Sequence, residues 1–366
     1  MVVTPWRVSG SVDYDKLIRQ FGTQPLDAPL LRRLERHAGT LHPLLKREFF
    51  FSHRDLHLVL DHYERGEPFV LYTGRGPSGP VHLGHVVPWI FTKYLQDVFD
   101  VKLYFQLTDD EKFLIHPEHS LDDVRGFARD NILDIIAMGF NPAKTRIILD
   151  TRHIATLYEV AVKVARHLNF STVKAVFGFE DSSNIGIIFF PAIQAAPAFL
   201  ESAATGRPVP CLIPAAIDQD PYWRVTRDVA PKLGFPKPAQ IHSKFLPGLG
   251  KGGKMSSSLP ETCIFMTDAP EAAAAKIADA FTGGQATGRE QRQLGGRPEI
   301  CPVYLYQYFA LSSGDDTVTA LYEDCRNGSL LCGECKARLA QTVGAFLRDH
   351  QVRREQARDR VDQFLL

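Results

Sequence analysis

The chain has 366 residues, 45% hydrophobic and 23% charged, enough for a sizeable core and, at roughly 150 residues per domain, for about two domains. Lysine plus arginine and aspartate plus glutamate balance at 42 each, so a polyanion would have to be held by a local basic patch and not by the field of the whole protein. The N-terminus lacks a charged-then-apolar secretion signal, no apolar run is read as reaching the roughly 20 residues of a membrane span, and the six cysteines read as reduced thiols; the expectation is a soluble, cytoplasmic protein with no membrane partner and no disulfide framework.

Residues 1–67 combine a Pro/Gly-punctuated start with helical patterning at 30–37 and 52–63, where Ser52 reads as a helix cap; they are expected to form an N-terminal extension packed on the domain that begins at residue 68. From that residue on, short β-rich runs alternate with amphipathic stretches, the pattern of a parallel sheet with crossover helices. Strands are predicted over 69–73, 102–107, 146–149, 209–214 and 240–242. Helices are predicted over 84–99, 121–138, 152–167, 185–200 and 221–233, the second capped by Ser120 with Asp123 three residues on. The expected fold class is α/β: a Rossmann-like, doubly wound parallel-sheet domain over 68–266. A helical domain over 267–366 comes next, with helices at 270–281, 303–311, 317–325 and from 331 to the end.

Two motifs carry the chemistry. The first lies after the strand predicted at 69–73: the glycine-rich run from Tyr72 to Pro80 leads into His82-Leu83-Gly84-His85 at the start of a helix. A loop rich in glycine that opens a helix lets backbone approach an anion closely, and two imidazoles there can donate to phosphate while Gly84 leaves room for a flat ligand. Alone, the histidines would equally fit helix-terminal polar residues or half of a metal site. The second motif, Lys254-Met255-Ser256-Ser257-Ser258, lies just after Gly248, Gly250, Gly252 and Gly253. A lysine and hydroxyls on such a loop can close over a triphosphate as charge moves to a pyrophosphate leaving group, although alone the run would also suit a solvated surface loop. Cys332 and Cys335 form a lone C-x-x-C, which without a second Cys/His pair cannot complete a four-ligand zinc site; they read as two thiols on one helical turn, and neither zinc nor any other protein-held metal is expected.

The two signatures resemble those of class I aminoacyl-tRNA synthetases, and longer stretches resemble the tryptophanyl-tRNA synthetases of the eukaryotic and archaeal type. These are Leu71 to Ser78 (LYTGRGPS), Gln106 to Lys112 (QLTDDEK), Phe190 to Pro197 (FPAIQAAP) and Ala216 to Tyr222 (AIDQDPY). The resemblance implies an enzyme that joins tryptophan to ATP and then to tRNA(Trp), with Mg²⁺ travelling with the nucleotide and no prosthetic group. It implies that Tyr72 and Gln106 meet the indole N–H, that Glu111 and Gln194 face the ammonium and carboxylate, and that Gln219 lies close by. Arg75, Gly76, His82, Gly84, His85, Lys254, Met255, Ser256 and Ser258 match nucleotide and catalytic positions, with Asp218 and Gln219 beside the ribose and substrate. Trp6 and Val8 match a segment covering the adenine. Three departures are visible: a loop one residue shorter before His82, Ala215 where animal enzymes carry a thiol, and Trp223 for a smaller aromatic.

The helical region resembles the family's anticodon-binding domain. Arg289, Arg292, Lys336 and Arg338 are candidate tRNA contacts, as are Arg348, Arg353, Arg354 and Arg358, whose interleaving with Asp349, Glu355, Asp359 and Asp362 also describes a solvated, salt-bridged helix. The family is homodimeric, and the same is expected here. Two rivals stand beside this reading. A tyrosine-specific enzyme would favour a carboxylate near the position of Gln106, and a silent RNA-binding paralogue would have no physical need of both phosphate motifs.

Overall fold

The computed structural model describes residues 2–3, 8–9, 12–312 and 314–366. Among them, seven strands form one sheet: β1 (Gln24–Pro25), β2 (Phe50–Arg54), β3 (Val70–Arg75), β4 (Lys102–Leu107), β5 (Thr145–Leu149), β6 (Cys211–Ala216) and β7 (Ala239–Ser243). Their spatial order is β1-β2-β7-β6-β3-β4-β5. The five strands from β7 to β5 are parallel, and β1 and β2 extend the β7 edge antiparallel.

The helices that cover this sheet are α1 (Ala28–Ala38), α2 (Leu56–Glu64), α3 (Leu83–Phe99), α4 (Asp109–Ile115), α5 (Leu121–Ala137), α6 (Asp150–Ala165), α7 (Ile185–Ala195) and α8 (Asp220–Val229). Successive strand residues point to opposite faces, so each strand feeds two cores. Leu71, Leu103, Phe105 and Ile147 pack with Phe91, Leu95 and Ile132 from α3 and α5. Val70, Tyr72, Tyr104, Ile148 and Ile213 pack with Leu157, Val160, Phe190 and Val225 from α6, α7 and α8. Covered on both faces, β4 and β7 are buried almost without interruption, as parallel strands require. The Ser120–Asp123 box is present: Ser120 Oγ accepts from the Asp123 amide at 3.1 Å and Asp123 Oδ2 from the Ser120 amide at 2.9 Å.

Three sequence expectations change. Ser52 caps no helix; it lies in β2, where its hydroxyl meets His242 Nδ1 at 3.0 Å, and α2 starts after Asp55. The run Phe50-Phe51-Ser52-His53 is buried throughout, which hides the alternation that marks a strand. The strand expected at 209–214 is shifted to Cys211–Ala216, with the Pro210 carbonyl accepting the Val70 amide at 2.9 Å. A stretch long and apolar enough to cross a membrane does exist: Ile185–Thr205, 21 residues with mean hydropathy 1.4. It is broken into α7, a 3-10 turn at Ala196–Phe199 and a short helix at Leu200–Thr205, and its apolar window is 67% buried, mainly against α6 and α8, so its apolarity serves the core.

After the sheet come α9 (Pro270–Ala278), α10 (Gly288–Leu294), α11 (Pro302–Tyr306), α12 (Asp315–Arg326) and α13 (Cys332–Ala357). The helix α13 lies along both α9 and α5, and the chain end adds a parallel bridge from Leu365 to Ile147 on the edge strand β5. Its docking is polar at the centre: Asp134 of α5 accepts from His350 Nε2 at 2.8 Å and from Arg354 Nε at 3.1 Å, and Arg354 also pairs with Asp130. Arg354 is therefore a buried structural cation and not a contact for tRNA, whereas Arg353 and Arg358 pair with Asp349 and Glu355 on the helix surface. Removing one member of a buried ionic group leaves the other uncompensated, so Arg354→Ala is expected to cost about 3–5 kcal/mol. Chemical denaturation of the variant against the Arg353→Ala control, whose pair is exposed, checks this.

Candidate active site

The rungs between β3 and β6 stop early. Val70 pairs with Cys211 and Leu71 with Leu212, while β3 and β4 stay in register over all six positions from Val70 to Arg75. Farther along β6 stands Pro214, which has no N–H to give; its carbonyl accepts from Thr73 Oγ1 at 3.3 Å. The chain also reverses direction across the sheet here, running from β3 out to β5 and returning to β6 and β7 on the other side. A crevice beyond the carboxyl ends of such a strand pair is where α/β sheets hold ligands. In this chain it is a cavity of about 660 Å³.

Apart from Trp6 and Val8, the fifteen residues assigned from the sequence to substrate, nucleotide or catalysis all line that cavity, from Tyr72 on β3 to Ser258 beyond β7. On the sheet side, the Tyr72 hydroxyl donates to Gln106 Oε1 and lies 2.9 Å from the Gln194 carbonyl. The other end of the Gln106 amide is fixed by Asp150, whose two carboxyl oxygens each lie 2.9 Å from Gln106 Nε2. Burial and the facing carboxyl of Asp110 raise Asp150 well above the usual carboxylate range, and burial lifts Asp110 to about 6. The pair thus retains a proton, and the amide carbonyl is held toward the cavity side of the network. Trp223 packs edge-on to Tyr72 at 5.3 Å. Glu111 accepts from Thr108 Oγ1 at 2.9 Å and pairs with Lys112 at 3.1 Å.

At the first motif, His82 precedes α3 and stacks on His85 with ring centroids 3.6 Å apart. His85 Nδ1 faces the His82 amide at 3.2 Å and an Arg75 guanidinium nitrogen at 2.5 Å, so Nδ1 is the acceptor and Nε2 carries the proton. Burial, with the nearby Arg75 charge, lowers His82 to about 3 and His85 well below its ordinary value; both rings are neutral donors. Arg75 itself faces inward, donating to Asn131 at 2.6 Å and to the Gly79 and Pro80 carbonyls at 2.8 and 3.1 Å. It shapes the glycine-rich loop more than it offers a free cation. Gly84 also differs from expectation: a Cβ there would stand 3.1 Å from the His82 ring and 3.5 Å from Met255, so the glycine makes room for these side chains.

The second motif is folded over the opening by a short hairpin. Pro247 bridges to Lys254, Met255 N–H donates to the Leu246 carbonyl at 2.9 Å, and Gly252 and Gly253 turn with φ of 77° and 82°. Lys254 donates to Asp218 at 3.0 Å and lies 5.3 Å from the Phe245 ring centroid. Ser256 and Ser258 hydroxyls meet at 2.9 Å.

The model of the family described as tRNA synthetases class I (W and Y) matches residues 64–348. A tryptophan–tRNA ligase from Pyrobaculum arsenaticum is 52% identical over 365 residues, covering 100% of this chain and 97% of that one. One from Pyrococcus furiosus is 53% identical, covering 99% and 93%. The solved tryptophanyl-tRNA synthetase from Giardia lamblia superposes with a TM-score of 0.90 at 37% identity over 96% of each chain. The chain belongs to the tryptophanyl-tRNA synthetase family.

Two residues of this cavity and its hydrogen-bond network were not singled out from the sequence. Asp150 comes directly after the last residue of β5, next to β4 in a register that pairs Gln106 with Ile148; an acid at the carboxyl end of a neighbouring parallel strand was the available signal. Lys112 lies across Gly76, where a Cβ would come within 1.8 Å of its Cε, so the glycine of the family motif admits a cation to the cavity. The candidate tRNA residues lie outside the cavity: Arg289 and Arg292 are exposed on α10, Arg338 is exposed on α13, and Lys336 donates to the Ala278 carbonyl at 2.6 Å, closing the end of α9. Trp6 lies outside the described residues, and of Val8 only the strand Val8–Ser9 is described.

Because the unfolded chain has histidines of pKa about 6.5, it binds protons below that pH that the folded His82 and His85 refuse, so their contribution to stability is lost as pH falls below about 6.5, for His82 down to about 3. Ring nitrogen NMR on histidine-labelled protein is expected to keep both rings neutral at pH 5, with His85 as the Nε2–H tautomer. A ring shift moving to the imidazolium value near pH 6.5 contradicts this.

Proposed function

We propose that this chain activates L-tryptophan with ATP, forming tryptophanyl-adenylate and pyrophosphate, and then transfers tryptophan to tRNA(Trp). The observation that carries the reading is that Tyr72 and Gln106, held from behind by Asp150, line the same cavity as the two glycine-flanked motifs. With the Gln106 amide nitrogen turned to the Asp150 carboxyl, the Gln106 carbonyl and the Tyr72 hydroxyl are the acceptors for an indole N–H. A carboxyl near Gln106 is what the tyrosine rival would need, but here it is occupied by the glutamine amide and shares a proton with Asp110. A site that requires a substrate N–H rejects amino acids lacking it strongly, by about 10⁴-fold, which removes the need for an editing domain.

The reaction needs no protein nucleophile. The tryptophan carboxylate attacks the α-phosphorus in line, and the protein contributes position and charge. Glu111 and Gln194 serve the ammonium and carboxylate end, and Asp218 and Gln219 the ribose. His82 and His85, neutral, donate to phosphate oxygens; Lys254 exchanges Asp218 for the triphosphate and, with Ser256 and Ser258, stabilises the departing pyrophosphate. Mg²⁺ enters with ATP as part of that substrate. The helical region 267–366 is the anticodon-binding part, with Arg289, Arg292 and Arg338 as its phosphate or base contacts, on the N-terminal extension 1–67 and catalytic part 68–266 as scaffold. A cytoplasmic homodimer suits the exposed stripe Ile154, Tyr158 and Val162 along α6, with Phe170 and Ile185 beside it, as the face for a second copy.

Amino-acid-dependent ATP–pyrophosphate exchange with each of the twenty amino acids tests the reading: exchange with tryptophan alone is expected, and exchange with tyrosine or with none overturns it. Lys254→Ala is expected to lose about 10²-fold or more in exchange rate, with little change in tryptophan binding by calorimetry. For Asp150→Ala, the kcat/KM preference for tryptophan over its isostere with sulfur in place of the indole N–H is expected to shrink about tenfold, the scale of one hydrogen bond. Asp150→Asn, which keeps one acceptor, should fall between.

A further inference from the structure

The hairpin that carries Lys254 is held from outside the cavity. Two rungs define it: Met255 N–H donates to the Leu246 carbonyl at 2.9 Å and Gly248 N–H to the Gly253 carbonyl at 3.3 Å, with Pro247 and Lys254 facing each other between them. In that register the backbone N and C=O of the two facing residues point away from the partner strand. A proline suits the position because it has no N–H to leave unpaired, but its carbonyl still needs a donor. Tyr306, at the end of α11, supplies one: its hydroxyl donates to the Pro247 carbonyl at 2.7 Å. Two residues on, the Leu249 carbonyl accepts from the Phe281 N–H at 2.8 Å, just past α9. The 246–249 strand is therefore tied to the helical region at both of its outward carbonyls.

Tyr306 is placed for this contact from both sides. Its side chain is fully buried in the same apolar cluster as Leu246, Leu249 and Val303, and burial pushes its hydroxyl well above the ordinary range, which keeps it a donor. The helix runs on into a π turn at Gln307–Leu311, closed by Ser312 N–H on the Gln307 carbonyl at 3.1 Å. Such widened turns occur mostly at functional sites. Here the buried Arg47 of the N-terminal extension holds the turn, donating to the Tyr308 and Ser312 carbonyls at 2.6 Å each and pairing with Asp315 at 2.8 Å. Neither Tyr306 nor Pro247 lines the catalytic cavity, whereas Leu246, Lys254 and Met255 do. The second strand of the hairpin is held differently, by contacts across the cavity: Lys254 to Asp218 at 3.0 Å, and Met255 Sδ to the Gly84 N–H at 3.3 Å. Between the strands, Gly252 and Gly253 turn through open space, with nothing within 4 Å of a Cβ at either.

We propose that Tyr306 is a positioning residue for adenylate formation: through the Pro247 carbonyl it fixes the 246–249 strand, so that the strand of Lys254 turns about Gly252 and Gly253 from Asp218 to the triphosphate. It rests on the function proposed above and adds to it a residue that touches no substrate. Without the hydroxyl, the Pro247 carbonyl has lost its donor, and the strand opposite Lys254 shifts to find another. Lys254 then meets the leaving pyrophosphate from a spread of positions, which weakens charge stabilisation that depends on a fixed geometry. The tryptophan pocket is untouched, because Tyr72, Gln106 and Asp150 are held by one another.

Tyr306→Phe keeps the buried ring and removes the donor. Its kcat in tryptophan-dependent ATP–pyrophosphate exchange is expected to fall about tenfold, the scale of one hydrogen bond, with KM and calorimetric Kd for tryptophan unchanged. Tyr304→Phe is the control: on the same helix it removes a hydroxyl that donates to the Val318 carbonyl of α12 at 3.4 Å, and it is expected to keep the parent rate. A parent kcat in Tyr306→Phe, or an equal loss in Tyr304→Phe, overturns the proposal. In the Lys254→Ala background, Tyr306→Phe is expected to cost less than about twofold, because its effect passes through the lysine, and a full further loss there counts against it. If Tyr306→Phe does not fold, hydrogen exchange on the parent chain decides: on adding tryptophan and a non-hydrolysable ATP analogue, the Phe281 amide is expected to stay protected while the Met255 amide changes. Loss of protection at Phe281 would mean that the whole hairpin moves and would sink the proposal. Pyrophosphate exchange absent from the parent as well would implicate the proposed function and not the hydroxyl, and the hydrogen-exchange arm would still show which strand is fixed.

Discussion

The early end of the β3–β6 ladder is the constraint on which the active site depends. Two rungs hold the strands together at Val70 and Leu71, and beyond them Thr73 reaches the Pro214 carbonyl with its side chain in place of a backbone bond. A proline in a central strand removes a ladder donor, and at this position the loss coincides with the reversal of strand order. The crevice is thus fixed by strands held in the middle of the sheet. Loops that meet there, from the glycine-rich turn before His82 to the hairpin before Lys254, inherit a rigid floor.

On that floor, polar groups are oriented by other polar groups. Tyr72, Gln106, Asp150 and Asp110 form one chain in which each buried donor has an acceptor, and the shared carboxyl proton spares the interior a second negative charge. Arg75 does the same for the glycine-rich loop, converting a cation that composition alone would present to a ligand into a brace between Asn131, His85 and two carbonyls. The cost of burying these groups is offset only if the set is complete, which is why single members of it act through their neighbours. The Asp134, His350 and Arg354 group applies the same logic to the docking of α13, and it makes the helical region a continuation of the catalytic core: Val303, Leu339 and Leu347 belong to the same apolar cluster as Phe91 and Leu103.

Much of this was legible from local pattern. The strand at Lys102–Leu107 and the helix beginning after Ser120 come from apolar periodicity and capping, signals contained within a single element. The cavity-lining residues were legible too, because a glycine-rich turn after a strand and a lysine–serine run after glycines carry their chemistry in consecutive residues. The misreadings have a common cause. Phe50 to His53 is buried on both sides and so lacks alternation, and Ile185–Thr205 is apolar because it fills a core, which hydropathy cannot distinguish from a lipid-facing span.

The sequence by itself determined most element types, the α/β order and the two glycine-flanked motifs that line the cavity, since these depend on neighbours a few residues apart. Tertiary structure alone decided which groups meet across long separations. Sheet register set Asp150 beside Gln106, the hairpin at Gly252 and Gly253 brought Lys254 to Asp218, and the packing of α11, α12 and α13 collected four cysteines that the chain spaces unevenly. Such meetings are fixed by the sum of packing over whole elements, and no local pattern encodes that sum.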